Sequence, residues 1–122
     1  MFTSRARATK EWHLRDSAKR GDVSGVCEEL DRGARIEAAT DDGWTALLRA
    51  AFYGHVQVVQ VLLDRGARVE AANNDGWTAL AVAAFYGHVQ VVQVLLDRGA
   101  RIEARGERKW LDGIVGSGLP WT

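Results

Sequence analysis

The stretch Asp42 to Asn74 is written a second time immediately after itself, and no other feature limits the possible folds as severely. At an offset of 33 residues, 27 of the 33 positions are identical. Only Leu48/Ala81, Arg49/Val82, Val69/Ile102, Ala72/Arg105, Asn73/Gly106 and Asn74/Glu107 differ. A fixed period of this length is the signature of a solenoid, in which each unit buries its apolar face only against its neighbours.

The period can be traced backwards in weaker form. Leu14, Ala18 and Gly21 fall in register with Leu47, Ala51 and Gly54, and Val23, Val26 and Leu30 with Val56, Val59 and Leu63. Asp31 to Ala38 nearly reproduces Asp64 to Ala71. In this first unit Glu28 and Glu29 replace Val61 and Leu62, which predicts the polar outer face that a terminal repeat needs. Residues 10–41 therefore read as a capping unit, followed by repeats at 42–74 and 75–107. Residues 1–9 read as a flexible basic lead, and 109–122 as an apolar, Gly-rich tail outside the repeat domain of 10–108.

Each full unit predicts two helices. Thr45 can cap the first, Leu47, Ala50 and Ala51 share a helical face, and Gly54 ends it at Tyr53. The second, His55 to Arg65, is rich in Val and invites a strand assignment. Its polar residues decide otherwise: Gln57, Gln60 and Asp64 line one face of a helix, whereas strand alternation would separate Gln57 from Gln60. Gly66 stands where a helix end needs positive φ. Ala67 to Gly76 then predicts an extended connector closed by an Asn74-Asp75-Gly76 turn.

Composition narrows the function classes. Sixteen basic residues balance sixteen acidic ones, so no global field argues for nucleic acid or an acidic membrane surface. Cys27 is the lone cysteine, which points to a reducing compartment without a disulfide framework. The opening residues lack the apolar core of a secretory signal, and no apolar run approaches the roughly 20 residues of a membrane helix. A soluble, cytoplasmic chain is the expectation. His55 and His88 stand one repeat apart, too far for one metal ion, and read as structural. Cys27 and His13 have no third orienting group, so no catalytic residue, metal or cofactor is expected. The basic cluster Arg5, Arg7, Lys10, Arg15, Lys19 and Arg20 has two readings, first a solubilising segment and second a contact for nucleic acid or an acidic partner.

The strings Asp-Gly-Trp-Thr-Ala-Leu, Ala-Ala-x-x-Gly-His and Val-Leu-Leu-Asp-x-Gly-Ala, at this spacing, resemble the ankyrin repeat. The resemblance implies an all-α solenoid of stacked helix–turn–helix units with β-turn fingers, and a non-enzymatic chain that binds a partner protein along its concave face. The chain departs from the family pattern in places. Ala46 and Leu48 stand where the family has Pro and His in Thr-Pro-Leu-His, and Glu37, Glu70 and Glu103 replace the usual Asn. The helix starts should be less rigid for lack of the Pro, and any role of that Asn should not carry over.

Carried over residue by residue, the family's concave positions hold Asp42, Trp44, Phe52 and Tyr53, then Asp75, Trp77, Phe85 and Tyr86. Two readings stand side by side. The rings either pack on neighbouring repeats, or they form two parallel rows offered to an extended or helical partner, since Trp and Tyr are enriched at binding hot spots. Arg49 is placed to stack on Tyr53 or to reach a partner's carboxylate; Val82, its counterpart, is not. The last repeat keeps Val94 and Leu95 where the cap has glutamates, which leaves an apolar end. Either the tail folds back over it, or two chains bury it together as a homodimer through the C-terminal repeat. A self-associating structural unit is thus the alternative to a partner-binding module.

Overall fold

The computed structural model describes residues 2–101, and it places six helices in chain order. They are α1 (Phe2–Arg20), α2 (Val23–Asp31), α3 (Ala46–Tyr53), α4 (Val56–Asp64), α5 (Ala79–Phe85) and α6 (Val89–Asp97). Each odd-numbered helix pairs with the even one after it. The odd helices also pack on one another in sequence, α1 on α3 and α3 on α5, as do α2, α4 and α6. Two layers of helices result, and the repeat of the sequence is the repeat of the architecture. The stretch expected as a lead is assigned to the first helix, which starts at Phe2. The tail and Glu103 lie outside the described residues, and so do both proposed ways of covering the last repeat.

Local chemistry explains the helix limits. The hydroxyls of Thr45 and Thr78 accept hydrogen bonds from the backbone N–H of Leu48 and Ala81, both at 3.3 Å. Each satisfies one of the donors a helix start leaves open. Gly54 (φ +75°) ends α3, and the Val-rich segments form helices as their polar spacing predicts. Valines are no obstacle here because tertiary burial outweighs their weaker helix propensity.

The core follows the period. Leu14, Leu47 and Leu80 are buried at matching positions, as are Val26, Val59 and Val92. Between α3 and α5 the small residues Ala50, Ala51, Ala83 and Ala84 are buried, which lets these helices approach closely. In α6 the stripe Val91, Val92 and Leu95 faces the core, leaving Val94 and Leu96 half-buried at its edges. The apolar end expected at Val94 and Leu95 is therefore smaller than the sequence suggested, since Leu95 belongs to the core. Glu29 is a second correction. It occupies the same helical phase as Leu62 and Leu95 and is buried, 3.5 Å from the Arg32 guanidinium, whereas Glu28 is exposed.

Contacts across each repeat boundary tie neighbours together. His55 Nε2 donates to the Lys19 carbonyl and His88 Nε2 to the Phe52 carbonyl, each at 2.8 Å. Carbonyls can only accept, which fixes the tautomer of both rings. The glutamates in the family's Asn position have a related task. Glu37 accepts from the backbone N–H of Arg68 at 2.7 Å, and Glu70 from that of Arg101 at 3.2 Å. Glu11 does the same for Arg35 at 3.2 Å and also grips its guanidinium at 2.7 Å. That hydrogen bond first, then the carboxylate's charge, raises the Arg35 pKa. Asp31–Arg65 and Asp64–Arg98 add ion pairs at 2.9 and 2.6 Å. Both are exposed, so each contributes only about 0–1 kcal/mol and serves mainly to hold register.

Candidate interaction face

The fingers set the site. Gly43 and Gly76 close turns by donating to the carbonyls of Thr40 (2.8 Å) and Asn73 (3.0 Å). Ala72 and Thr78 form an isolated antiparallel bridge across the second finger. The Asn73 side chain, which is buried, accepts from the N–H groups of Asp75 (2.9 Å) and Trp77 (3.0 Å). In the first finger Thr40 Oγ1 performs the second of these tasks for Trp44, at 3.2 Å. Asn74 reaches back one finger, donating from its backbone N–H to the Asp42 carbonyl and from its side chain to the Asp41 carbonyl. Turn chemistry thus comes from Asn73 as well as from Asn74-Asp75-Gly76, and it fixes where both indoles enter their helices.

Phe52-Tyr53 and Phe85-Tyr86 stand at the opposite ends of α3 and α5. Each Trp meets the Phe of its own repeat edge-to-face: Trp44–Phe52 at 5.7 Å and Trp77–Phe85 at 5.4 Å between centroids. Phe52 also meets Tyr86 of the next repeat at 4.5 Å, and Phe85 meets Tyr86 at 4.9 Å. The rings therefore do not form two separate rows. Trp44, Phe52, Tyr86, Phe85 and Trp77 make one connected band, with Tyr53 joined to it through Phe52 at 4.8 Å. Edge-to-face pairs at these distances contribute about 0.5–1.5 kcal/mol each beyond the area they bury.

Exposure divides the band. Trp44, Trp77 and Phe52 are half-buried and pack against the core. Phe85 and Tyr86 keep 50 % and 49 % of their surface in solvent, and Tyr53 39 %. Asp42 and Asp75 are exposed beside the turns. A pocket of about 350 Å³ opens between the indoles and Phe85, with Val82 lining it although that side chain is itself buried. Arg49 stacks on Trp44, its Cζ 5.4 Å from the ring centroid, rather than on Tyr53 as expected. Tyr53 instead receives Lys19 from the cap, with Nζ 5.9 Å from the ring.

The stacked hairpins, capped by threonine and stapled by histidine at a period of 33 residues, agree with comparison to known families: a model of ankyrin repeats in three copies matches residues 14–106. The chain belongs to the ankyrin-repeat family. Ankyrin repeats are in general modules of protein–protein interaction, and the family is typically non-enzymatic. No match was found among curated proteins. Among the described residues, no helix is long and apolar enough to cross a membrane.

Eight of the nine candidate positions stand at the turns and helix ends just described, and Arg49 lies within α3. The cap also reaches the band, through Lys19 over the Tyr53 ring. Trp12, 56 % exposed, lies with Arg15, Lys19 and Arg49 around a second cleft of about 190 Å³. The signal was present in the register: Lys19-Arg20 stands where the two repeats have Phe-Tyr.

Proposed function

We propose that this ankyrin chain is a recognition module that docks a partner protein on the aromatic band, with no catalytic step. The observation that carries this reading is the exposure of Phe85 and Tyr86, large rings left half in water at the end of a helix whose remaining residues are buried. Tyr and Trp bury large area at small entropic cost, so rings held in place by their neighbours are suited to anchoring a partner. Phe52 braces Tyr86, and the Trp indoles brace the two Phe rings. Asp42 and Asp75 would form the polar rim.

The half-buried indoles make a double Trp exchange a poor probe, because stability and binding would fall together. Phe85→Ala with Tyr86→Ala removes the exposed rings instead. A pull-down with wild type and this variant, read by mass spectrometry, should show partners lost by the variant while its helical circular dichroism is retained. An unchanged partner set would remove the band as the site. Concentration-dependent sedimentation of the wild type, with no partner present, would favour the self-associating reading.

A further inference from the structure

We infer that the docking face is polarised, and that its occupant is a protein segment with an acidic cluster over the cap and apolar side chains over Trp77 and Phe85. This rests on the reading of the band as a docking face and goes beyond it by specifying the partner's chemistry and direction. Across the three units the helix-end pair reads Lys19-Arg20, then Phe52-Tyr53, then Phe85-Tyr86. The one inner-helix position where the near-identical repeats exchange charge for apolar character runs the same way: Arg49 becomes Val82. Positive charge is thus concentrated at one end and aromatic surface at the other.

Many of the cations are already engaged, Arg20 at the same end included. Arg20, Arg32, Arg35, Arg65 and Arg98 each lie within ion-pair distance of a carboxylate. Among the described residues Lys10, Arg15, Lys19, Arg49, Arg68 and Arg101 make no such ion pair, and of these Arg15, Lys19 and Arg49 gather around one cleft. Lys19 and Arg49 rest on the Tyr53 and Trp44 rings, and Arg15 Nη1 donates to the Ala38 carbonyl at 3.4 Å. Asp16, the acid beside them, is held by Arg20 at 3.0 Å. Three cations around one cleft, each placed by a ring or a carbonyl, leave guanidinium and ammonium donors for a carboxylate from outside. Trp12 offers an apolar contact at the same place.

A single-stranded nucleic acid would also use cations and rings, but it carries a phosphate at every nucleotide. Here the cations that line the cleft are gathered at the cap end, while Asp42 and Asp75 stand along the fingers. One localised basic cluster followed by rings fits a peptide with localised acids better.

The test is selection of a displayed random dodecapeptide library on the immobilised full chain. Retained sequences should combine an Asp/Glu cluster with Trp, Phe or Leu on one side of it. A fluorescein-labelled copy of one such peptide should lose affinity about tenfold with Lys19→Glu plus Arg49→Glu, and weaken with added salt. Lys19→Ala plus Arg49→Ala serves as the milder pair should charge reversal disturb the helices. Peptides that need Phe85 and Tyr86 but show no acidic excess, or ignore the charge changes, overturn the polarity and leave the face intact. Peptides indifferent to Phe85→Ala with Tyr86→Ala, or no retained peptide at all, overturn the face as well. Tighter binding of labelled oligothymidylate than of any peptide, abolished by the same charge reversal, overturns the inference in favour of nucleic acid.

Discussion

A Cβ on Gly54 would lie 2.6 Å from Nδ1 of His88, whereas one on Gly87, at nearly the same positive φ, would meet nothing within 4 Å. The two glycines therefore separate backbone strain from crowding. Gly87→Ala should cost about 1–2 kcal/mol for the left-handed backbone alone. Gly54→Ala should cost at least about 1 kcal/mol more in urea denaturation, because the imidazole must leave the Phe52 carbonyl. A His88→Ala background should erase the difference; equal costs without it would refute the crowding argument. Glu29 offers the converse experiment. It fills a slot where both repeats carry a buried Leu, and its exposed partner Arg32 keeps Glu28, so Glu29→Leu should stabilise by about 1–3 kcal/mol, the scale of burying one apolar side chain. A lower urea midpoint would show that the pair with Arg32 contributes more than the apolar slot would. Glu29 was misread because a glutamate in a terminal repeat suggests solvent, while helical phase, which was equally legible, assigned it inward.

Elements were more legible than residues. The Val-rich α4 and α6 could be told from strands because three polar residues on one helical face carry more information than the composition of the rest. Thr45 and Thr78 were readable as caps for the same reason: their task is completed within one turn. Thr45→Ala should lower stability by about 1 kcal/mol, seen as a shifted thermal midpoint, with no loss at Thr45→Ser. An equal loss for Ser would mean that the methyl group, not the hydroxyl, matters. What stayed hidden were contacts at a separation close to the period. Glu37 with Arg68 and Glu70 with Arg101 depend on how units stack, and nothing local distinguishes these glutamates from solvated ones. The same holds for Lys19, whose meaning emerges only when its register is compared with Phe52 and Phe85.

At the scale of the molecule, stability is carried from unit to unit. Leu62 is fully buried, and Leu62→Ala should cost about 2–5 kcal/mol. Since a whole domain has only about 5–15 kcal/mol in hand, the central unit should loosen and its neighbours with it. Hydrogen exchange should then show lost protection in α2 and α6 as well as α4. Protection lost in α4 alone would mean that the units are less coupled than their shared contacts suggest. The aromatic band has a related dependence, since Tyr86 is braced by Phe52 across a repeat boundary.

The junctions between units are interchangeable. Cutting out 42–74 would bring Asp31 against Arg98, Glu37 against Arg101 and the Lys19 carbonyl against His88, the same chemical pairs that those groups have now. Inserting a further copy would likewise create no new kind of seam. The molecule's length is thus a free variable that recombination can alter in whole steps. Each step would lengthen or shorten the band of rings, while Arg15 and Lys19 stay on the first helix.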